Sequence, residues 1–164
     1  MLLLPSSLVS GAFPAPRERH LRMFNTHTAE RIDVVYSRDG VYDPEALAQL
    51  DLFLRDWRRG AVKHYDPRLF DLLTELAARV SRPDAEIHVI CGYRTPETNA
   101  RLRSRSSAVA GNSRHIAAEA IDIRLPGVRT PRLRDTALAL RRGGVGYYAR
   151  SNFIHVDVGR VRRW

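Results

Sequence analysis

Three residues in the C-terminal half combine types and spacing that suit metal chemistry: His115, Asp122 and His155. The segment Ala120–Arg124 (AIDIR) has strand character. Side chains alternate across a sheet, so Ile121 and Ile123 share one face while Ala120, Asp122 and Arg124 share the other. The segment Phe153–Val158 repeats the pattern, with Ile154, Val156 and Val158 turned inward and Phe153, His155 and Asp157 turned away. If the two strands are close neighbours, Asp122 and His155 lie on one polar face within reach of a single ion. His115 stands at the end of a polar loop just before the first strand, where the chain can fold back to join them. Two imidazoles and one carboxylate are a ligand set for catalytic zinc, with the fourth position left to water. Such an ion brings the pKa of its water to about 7 and polarises a carbonyl, making a hydroxide nucleophile available at neutral pH. The same ligand types form the facial triad of non-haem iron oxygenases. Their first two ligands sit much closer in sequence than His115 and Asp122 do, and metal analysis of anaerobically purified protein separates the two cases.

The elements that must position these residues read as an α+β domain with a largely antiparallel sheet and helices packed on one side. Residues 1–24 read as an apolar, Pro-containing tail, and residues 25–164 as one domain. Arg31–Tyr36 reads as a strand, with a hairpin turn at Asp39-Gly40 into Val41–Tyr42. Asp43-Pro44 and Asp66-Pro67 each supply an N-cap and a first helical position. The first helix carries Ala46, Leu50, Phe53, Leu54 and Trp57 and ends by Gly60; the second carries Leu69, Leu72, Leu73, Leu76 and Val80. Glu86–Cys91 reads as a strand running into Gly92-Tyr93-Arg94, and Thr95-Pro96 opens a short helix to about Arg103. Ser104–Ser113 is a long polar loop of the kind that carries function. Thr130-Pro131 caps a third long helix that Gly143-Gly144 ends, and Val145–Tyr148 with Phe153–Val158 makes a final strand pair.

Several motifs in this order resemble a known family. Ser113-x-His115, six residues, then Asp122 matches the S-x-H-x6-D signature of the D-Ala-D-Ala metallopeptidases and their lysostaphin and hedgehog relatives, and Phe153-Ile154-His155-Val156-Asp157 supplies the third ligand position. Gly92-Tyr93-Arg94-Thr95-Pro96-Glu97-Thr98-Asn99, Arg124-Leu125-Pro126-Gly127-Val128 and Gly143-Gly144-Val145-Gly146-Tyr147-Tyr148 look like the periplasmic zinc murein endopeptidases. The likeness covers roughly Arg31 to Trp164. It implies a hedgehog/D-Ala-D-Ala-peptidase fold, one zinc ion per chain, peptidoglycan stem peptides as substrate and an exported, periplasmic enzyme of endopeptidase or carboxypeptidase type. It also implies that Arg94 points into the site, either stabilising the developing oxyanion or anchoring a substrate carboxylate; otherwise it is a surface turn arginine. Ser113 either bonds to the site or supports the loop.

Two departures from the family pattern matter. Many relatives have Gly three residues after the first ligand, where this chain has Ala118, acceptable if φ stays negative. Related peptidases place Glu, Asp or His two or three residues before the last ligand, where this chain has Phe153 and Asn152, neither able to take a proton from water. Asp157 is then the candidate general base, or else it orients a ligand imidazole or pairs with an arginine. Glu119 reads as a solvated surface group. The missing upstream carboxylate also makes a non-catalytic, zinc-bearing binding module a competing reading. His20 falls in the tail. His88 reads as core or hydrogen-bonded, His27 and His64 as structural or surface groups, Cys91 as a small buried hydrophobe, and Trp57 and Trp164 as packing residues.

Composition narrows the partners. The excess of 27 Lys and Arg over 18 Asp and Glu gives a net charge of +9, which favours an anionic partner. The basic residues are scattered, with no long stripe interleaved with aromatics, so nucleic acid is not expected. No run reaches the ~18 apolar residues that span a bilayer. The opening MLLLPSSLVSGAFPAP resembles the back half of a secretory signal, with Ala12 and Ala15 near a cleavage point and the basic leader missing, as in a truncated signal. The lone Cys91 rules out an internal disulfide.

Overall fold

Residues 17–106 and 109–164 are described by the structure, a computed structural model. They form β1 (Glu18–Asn25), β2 (Arg31–Arg38), β3 (Val41–Tyr42), α1 (Pro44–Phe53), α2 (Pro67–Arg79), β4 (Ile87–Cys91), α3 (Pro96–Arg103), β5 (Ala120–Arg124), α4 (Thr130–Leu140), β6 (Gly144–Tyr148), β7 (Phe153–Asp157) and β8 (Arg162–Arg163). The strands make one sheet in the order β3-β2-β1-β4-β5-β7-β6-β8, antiparallel except for the β1–β4 and β6–β8 pairs. The signal-like segment at residues 1–16 lies outside the described residues.

One face of the sheet is apolar and carries the core. Met23, Val89, Ile121, Ile123, Ile154 and Val156 are all buried there, with Leu50 of α1, Leu69 and Leu73 of α2 and Leu133 of α4 packed in the same cluster. Burying each large aliphatic side chain is worth about 1.5–3 kcal/mol. A one-residue slip of β5 or β7 would turn these isoleucines to solvent, so their burial fixes the parity that leaves Asp122 and His155 on the opposite face. The short helix α3 adds no residue to this core; its buried residues are Thr98 and Asn99.

Four local expectations are corrected. Residues 18–24, read as tail, form most of β1, which pairs with β2 on one side and β4 on the other. Its Arg and His residues hide the pattern, since only Leu21 and Met23 of its apolar residues face the core. The domain therefore begins before residue 25. The first helix stops at Phe53 rather than near Gly60, and the chain leaves it to bring the fully buried Asp56 carboxylate under Thr95, whose backbone N–H and hydroxyl each donate to it at 3.0 Å. Trp57 consequently stands on the surface, stacked on His27. Thr130 is the first residue of α4 rather than its cap, and the helix ends at Leu140 with Arg141 left-handed. Gly143 is glycine for another reason: a Cβ there would meet the Asp157 carbonyl oxygen at 1.7 Å.

Candidate metal centre and its cleft

Strand pairing decides the site. Asp122 of β5 lies directly opposite His155 of β7, which lies opposite Gly146 of β6. The turn from Ser113 to Glu119 delivers His115, closing through Ile116 N–H to the Ser113 carbonyl at 3.0 Å and Glu119 N–H to the Arg114 carbonyl at 3.1 Å. His115 Nε2 comes to 3.2 Å from Asp122 Oδ1 and 3.1 Å from His155 Nδ1, and His155 Nδ1 is 2.9 Å from the same Asp122 oxygen. Within this turn Ala118 adopts φ +56°, against the expected negative value. The left-handed conformation costs roughly 1–2 kcal/mol, and complete burial of the methyl group offsets about half of that or more.

The far side of each imidazole fixes its tautomer. His115 Nδ1 lies 2.7 Å from the Gly92 carbonyl oxygen, which can only accept, so Nδ1 carries the proton and Nε2 presents its lone pair inward. His155 Nε2 donates to Asp157 Oδ2 at 3.0 Å, which leaves the Nδ1 lone pair pointing at Asp122 and His115. Two lone pairs and a carboxylate oxygen thus face one another at 2.9–3.2 Å with no hydrogen to share among them when both rings are neutral. Donors about 2.0–2.1 Å from a tetrahedral zinc would stand roughly 3.3 Å apart, so this cluster fits a small divalent cation.

At Asp122 and His115 the electrostatics agree with the geometry. Burial opposes charge on Asp122, but the His115 and His155 imidazoles outweigh it and hold the carboxyl well below the usual carboxylate range. Burial, its largest influence, pushes the His115 pKa down and keeps the ring neutral. Burial also acts to lower His155, yet the Asp122 and Asp157 carboxylates raise it overall.

Asp157, the candidate general base, is enclosed by hydrogen-bond partners, His155 among them. It is fully buried and its two oxygens accept from His155 Nε2, from the Gly144 and Gly159 amides at 3.0 and 2.8 Å, and from Arg162 at 3.0 and 2.6 Å. Burial opposes its charge, but these partners hold its carboxyl well below the ordinary range, leaving no oxygen free to receive a proton from water. Asp157→Asn is expected to weaken zinc binding about 10–100-fold, the usual effect of losing a ligand's outer partner, when measured by competition against a chelator. Unchanged metal affinity with loss of the acidic limb of the pH–rate profile would instead restore the base assignment.

Arg94 lines the cleft with a 9% exposed side chain, so it is not a surface turn arginine. Its Nη2 donates to Ser113 Oγ at 2.9 Å, its Nε has no partner, and it makes no ion pair among the described residues. Ser113 Oγ also accepts from the His115 amide at 3.4 Å, so it ties Arg94 to the turn that holds His115. Glu119 is paired with Arg114 instead of being solvated. The cleft has a volume of about 530 Å³, and among its described lining residues Asp122 is the one carboxylate.

The whole of the described chain, and a little more, matches one family profile, described as peptidoglycan L,D-endopeptidase MepK, over residues 13–164. The chain belongs to this family. It is 43% identical over 162 residues to the probable peptidoglycan L,D-endopeptidase MepK of Haemophilus influenzae, covering 99% of this chain and 87% of that protein. It is 42% identical over 149 residues to the peptidoglycan L,D-endopeptidase MepK of Escherichia coli K12, covering 91% of this chain and 81% of the relative. The same identity and coverage hold for the Shigella flexneri protein of that name.

Sequence reading missed two residues of the site. Cys91 sits opposite Asp122, because a bulge between Val89 and Cys91 shifts the register of β4 and brings its side chain to the site; simple alternation would have kept it with Val89. Its Sγ lies within 4.8 Å of donor atoms of His115 and Asp122, a looser grouping than the His115–Asp122–His155 triad. Burial, then the Asp122 charge, pushes its thiol up to about 12, which keeps it protonated. The second is Trp164, read as packing, which stands in the cleft. The remaining histidines lie elsewhere: His20 on β1 beside Asp33, His64 exposed beside Asp51, and His88 edge-on to Phe24.

Proposed function

We propose that this chain is a zinc-dependent endopeptidase that hydrolyses peptide crosslinks of peptidoglycan, with one zinc held by His115 Nε2, His155 Nδ1 and Asp122. The observation that carries the reading is the inward pair of imidazole lone pairs, each fixed by an acceptor behind the ring, the Gly92 carbonyl for His115 and Asp157 for His155. The relatives' names, peptidoglycan L,D-endopeptidase, support the substrate class and extend it to L,D crosslinks. A hedgehog/D-Ala-D-Ala-peptidase fold and export to the periplasm belong to the same reading. The four-helix α+β layout supports the first. Among the described residues no helix is long and apolar enough to cross a membrane.

The zinc would supply a water of lowered pKa and a Lewis acid toward the scissile carbonyl. The protein's own part is positioning. Asp157 keeps the proton on the outer nitrogen of His155, and the Gly92 carbonyl does the same for His115. Arg94, steadied by Ser113, turns an unpaired guanidinium into the cleft for an oxyanion or a substrate carboxylate.

Purified protein incubated with muropeptides tests the reading. Cleavage is expected, abolished by a chelator and restored by zinc, with the products identified by mass spectrometry. A second reading, a zinc-bearing binding module, draws on the absence of a free carboxylate beside the triad among the described cleft residues. It requires stoichiometric zinc with no cleavage under the same conditions.

A further inference from the structure

The two long walls of the cleft differ in chemistry. Arg94 and Ser113 stand on the β4 side of the Asp122–His155 row, while Tyr148 and Trp164 stand on the β6–β8 side, with Phe153 of β7 against Tyr148. Trp164 follows β8, and its backbone is locked to β6: its N–H donates to the Val145 carbonyl at 3.2 Å and its carbonyl accepts from Tyr147 N–H at 3.1 Å. The residue is nevertheless 52% exposed. It is clamped in place, with Nε1 donating to Tyr148 Oη at 3.1 Å, the Arg162 guanidinium 5.0 Å from the ring centroid, and the His155 ring 5.1 Å away. Beneath it lies Gly146, directly opposite His155, where a Cβ would come within 2.6–2.8 Å of three indole atoms. β6 thus gives up a side chain so that an aromatic plate can lie over the sheet beside the metal ligands. Tyr148 and Phe153, stacked at 4.6 Å, continue the plate. An exposed aromatic surface held this rigidly loses little freedom when a ligand covers it.

We propose that Trp164, with Tyr148 and Phe153, forms a binding subsite for a long aliphatic side chain next to the scissile bond, while Arg94 on the opposite wall takes the negatively charged or oxyanionic end. The inference rests on the endopeptidase reading above and adds a direction: substrate crosses the sheet from β4 to β6, polar end at Arg94 and methylenes at Trp164. In a crosslink between diamino acids the acceptor's side chain is consumed in the bond. The free methylene chain beside the cleaved carbonyl therefore belongs to the donor residue, and it is the occupant assigned to the aromatic wall.

The test uses the zinc-loaded enzyme and two synthetic crosslinked stem-peptide dimers, with diaminopimelate or alanine contributing the scissile carbonyl. Wild type is expected to prefer the diaminopimelate dimer by about tenfold or more in kcat/KM, the usual reward for filling an apolar pocket. Trp164→Ala removes most of that preference, mainly through KM, with zinc content retained. Trp164→Phe keeps most of it. Gly146→Ala, which retains the indole but forces it off the sheet, reproduces the loss without truncating Trp164. The chain has two tryptophans, so in a Trp57→Phe background the emission of Trp164 is expected to change when the tripeptide product ending in diaminopimelate is added. A preference untouched by both Trp164→Ala and Gly146→Ala, or an emission indifferent to the peptide, overturns the subsite while leaving the endopeptidase reading intact. If wild type cleaves neither dimer, the endopeptidase reading itself fails and takes the subsite with it.

Discussion

His155→Ala is expected to lose its zinc and at least about a thousandfold of its muropeptide turnover, because it removes a ligand whose ion supplies both the nucleophile and the carbonyl polarisation. The fold should survive the change. Asp157 keeps Arg162 and the Gly144 and Gly159 amides as partners, and Asp122 keeps His115, so no buried charge is left alone. The stability cost should be that of one partly satisfied side chain, about 1–3 kcal/mol, read from thermal unfolding of the metal-free proteins. Metal content by mass spectrometry and turnover on muropeptides then report on the ligand role separately from folding. A variant that binds stoichiometric zinc and retains full turnover contradicts the assignment.

Arg94→Lys is the second large effect. A lysine keeps the charge but offers a point donor in place of a planar fork, and it cannot both donate to Ser113 Oγ and reach the cleft with a second N–H in the same plane. Loss of a preorganised donor to a developing oxyanion costs about 10²–10³ in rate. Zinc content should stay normal, since Arg94 touches no ligand side chain and meets the first ligand through its own amide, bonded to the His115 carbonyl at 3.2 Å. The kinetic constants separate its two roles: a fall in kcat at constant KM marks oxyanion stabilisation, whereas a rise in KM alone marks an anchor for a substrate carboxylate. Activity within about twofold of wild type would remove Arg94 from the machinery.

The two predictions rest on parts of the molecule that were unequally legible. Asp122 and His155 were readable as site residues because strand periodicity is local: isoleucines and valines on alternate positions must face the core, so the polar residues between them face away. The N-caps Asp43 and Asp66 were readable for the same reason, since an Asx-Pro step acts within one turn of chain. β1 was not, because its two inward apolar residues are too few to stand out among charged neighbours, and its strand state comes from the hydrogen bonds of β2 and β4 on either side.

Asp157 shows the boundary most sharply. Its type and its place on the face of His155 allow either a proton acceptor or an orienting partner, and what bears on the choice is a set of groups contributed by Gly144, Gly159 and Arg162. The bulge that turns Cys91 to the site and the glycine gap that admits Trp164 are likewise settled by neighbouring strands. By itself, the sequence determined which residues are equipped for ligand chemistry and which sheet face they occupy, because both follow from residue type and period. Only the tertiary structure decided that β7 lies against β5, that His115 reaches both, and what stands behind each ligand, because those contacts join residues far apart in the chain and depend on which strands pair to bury the core.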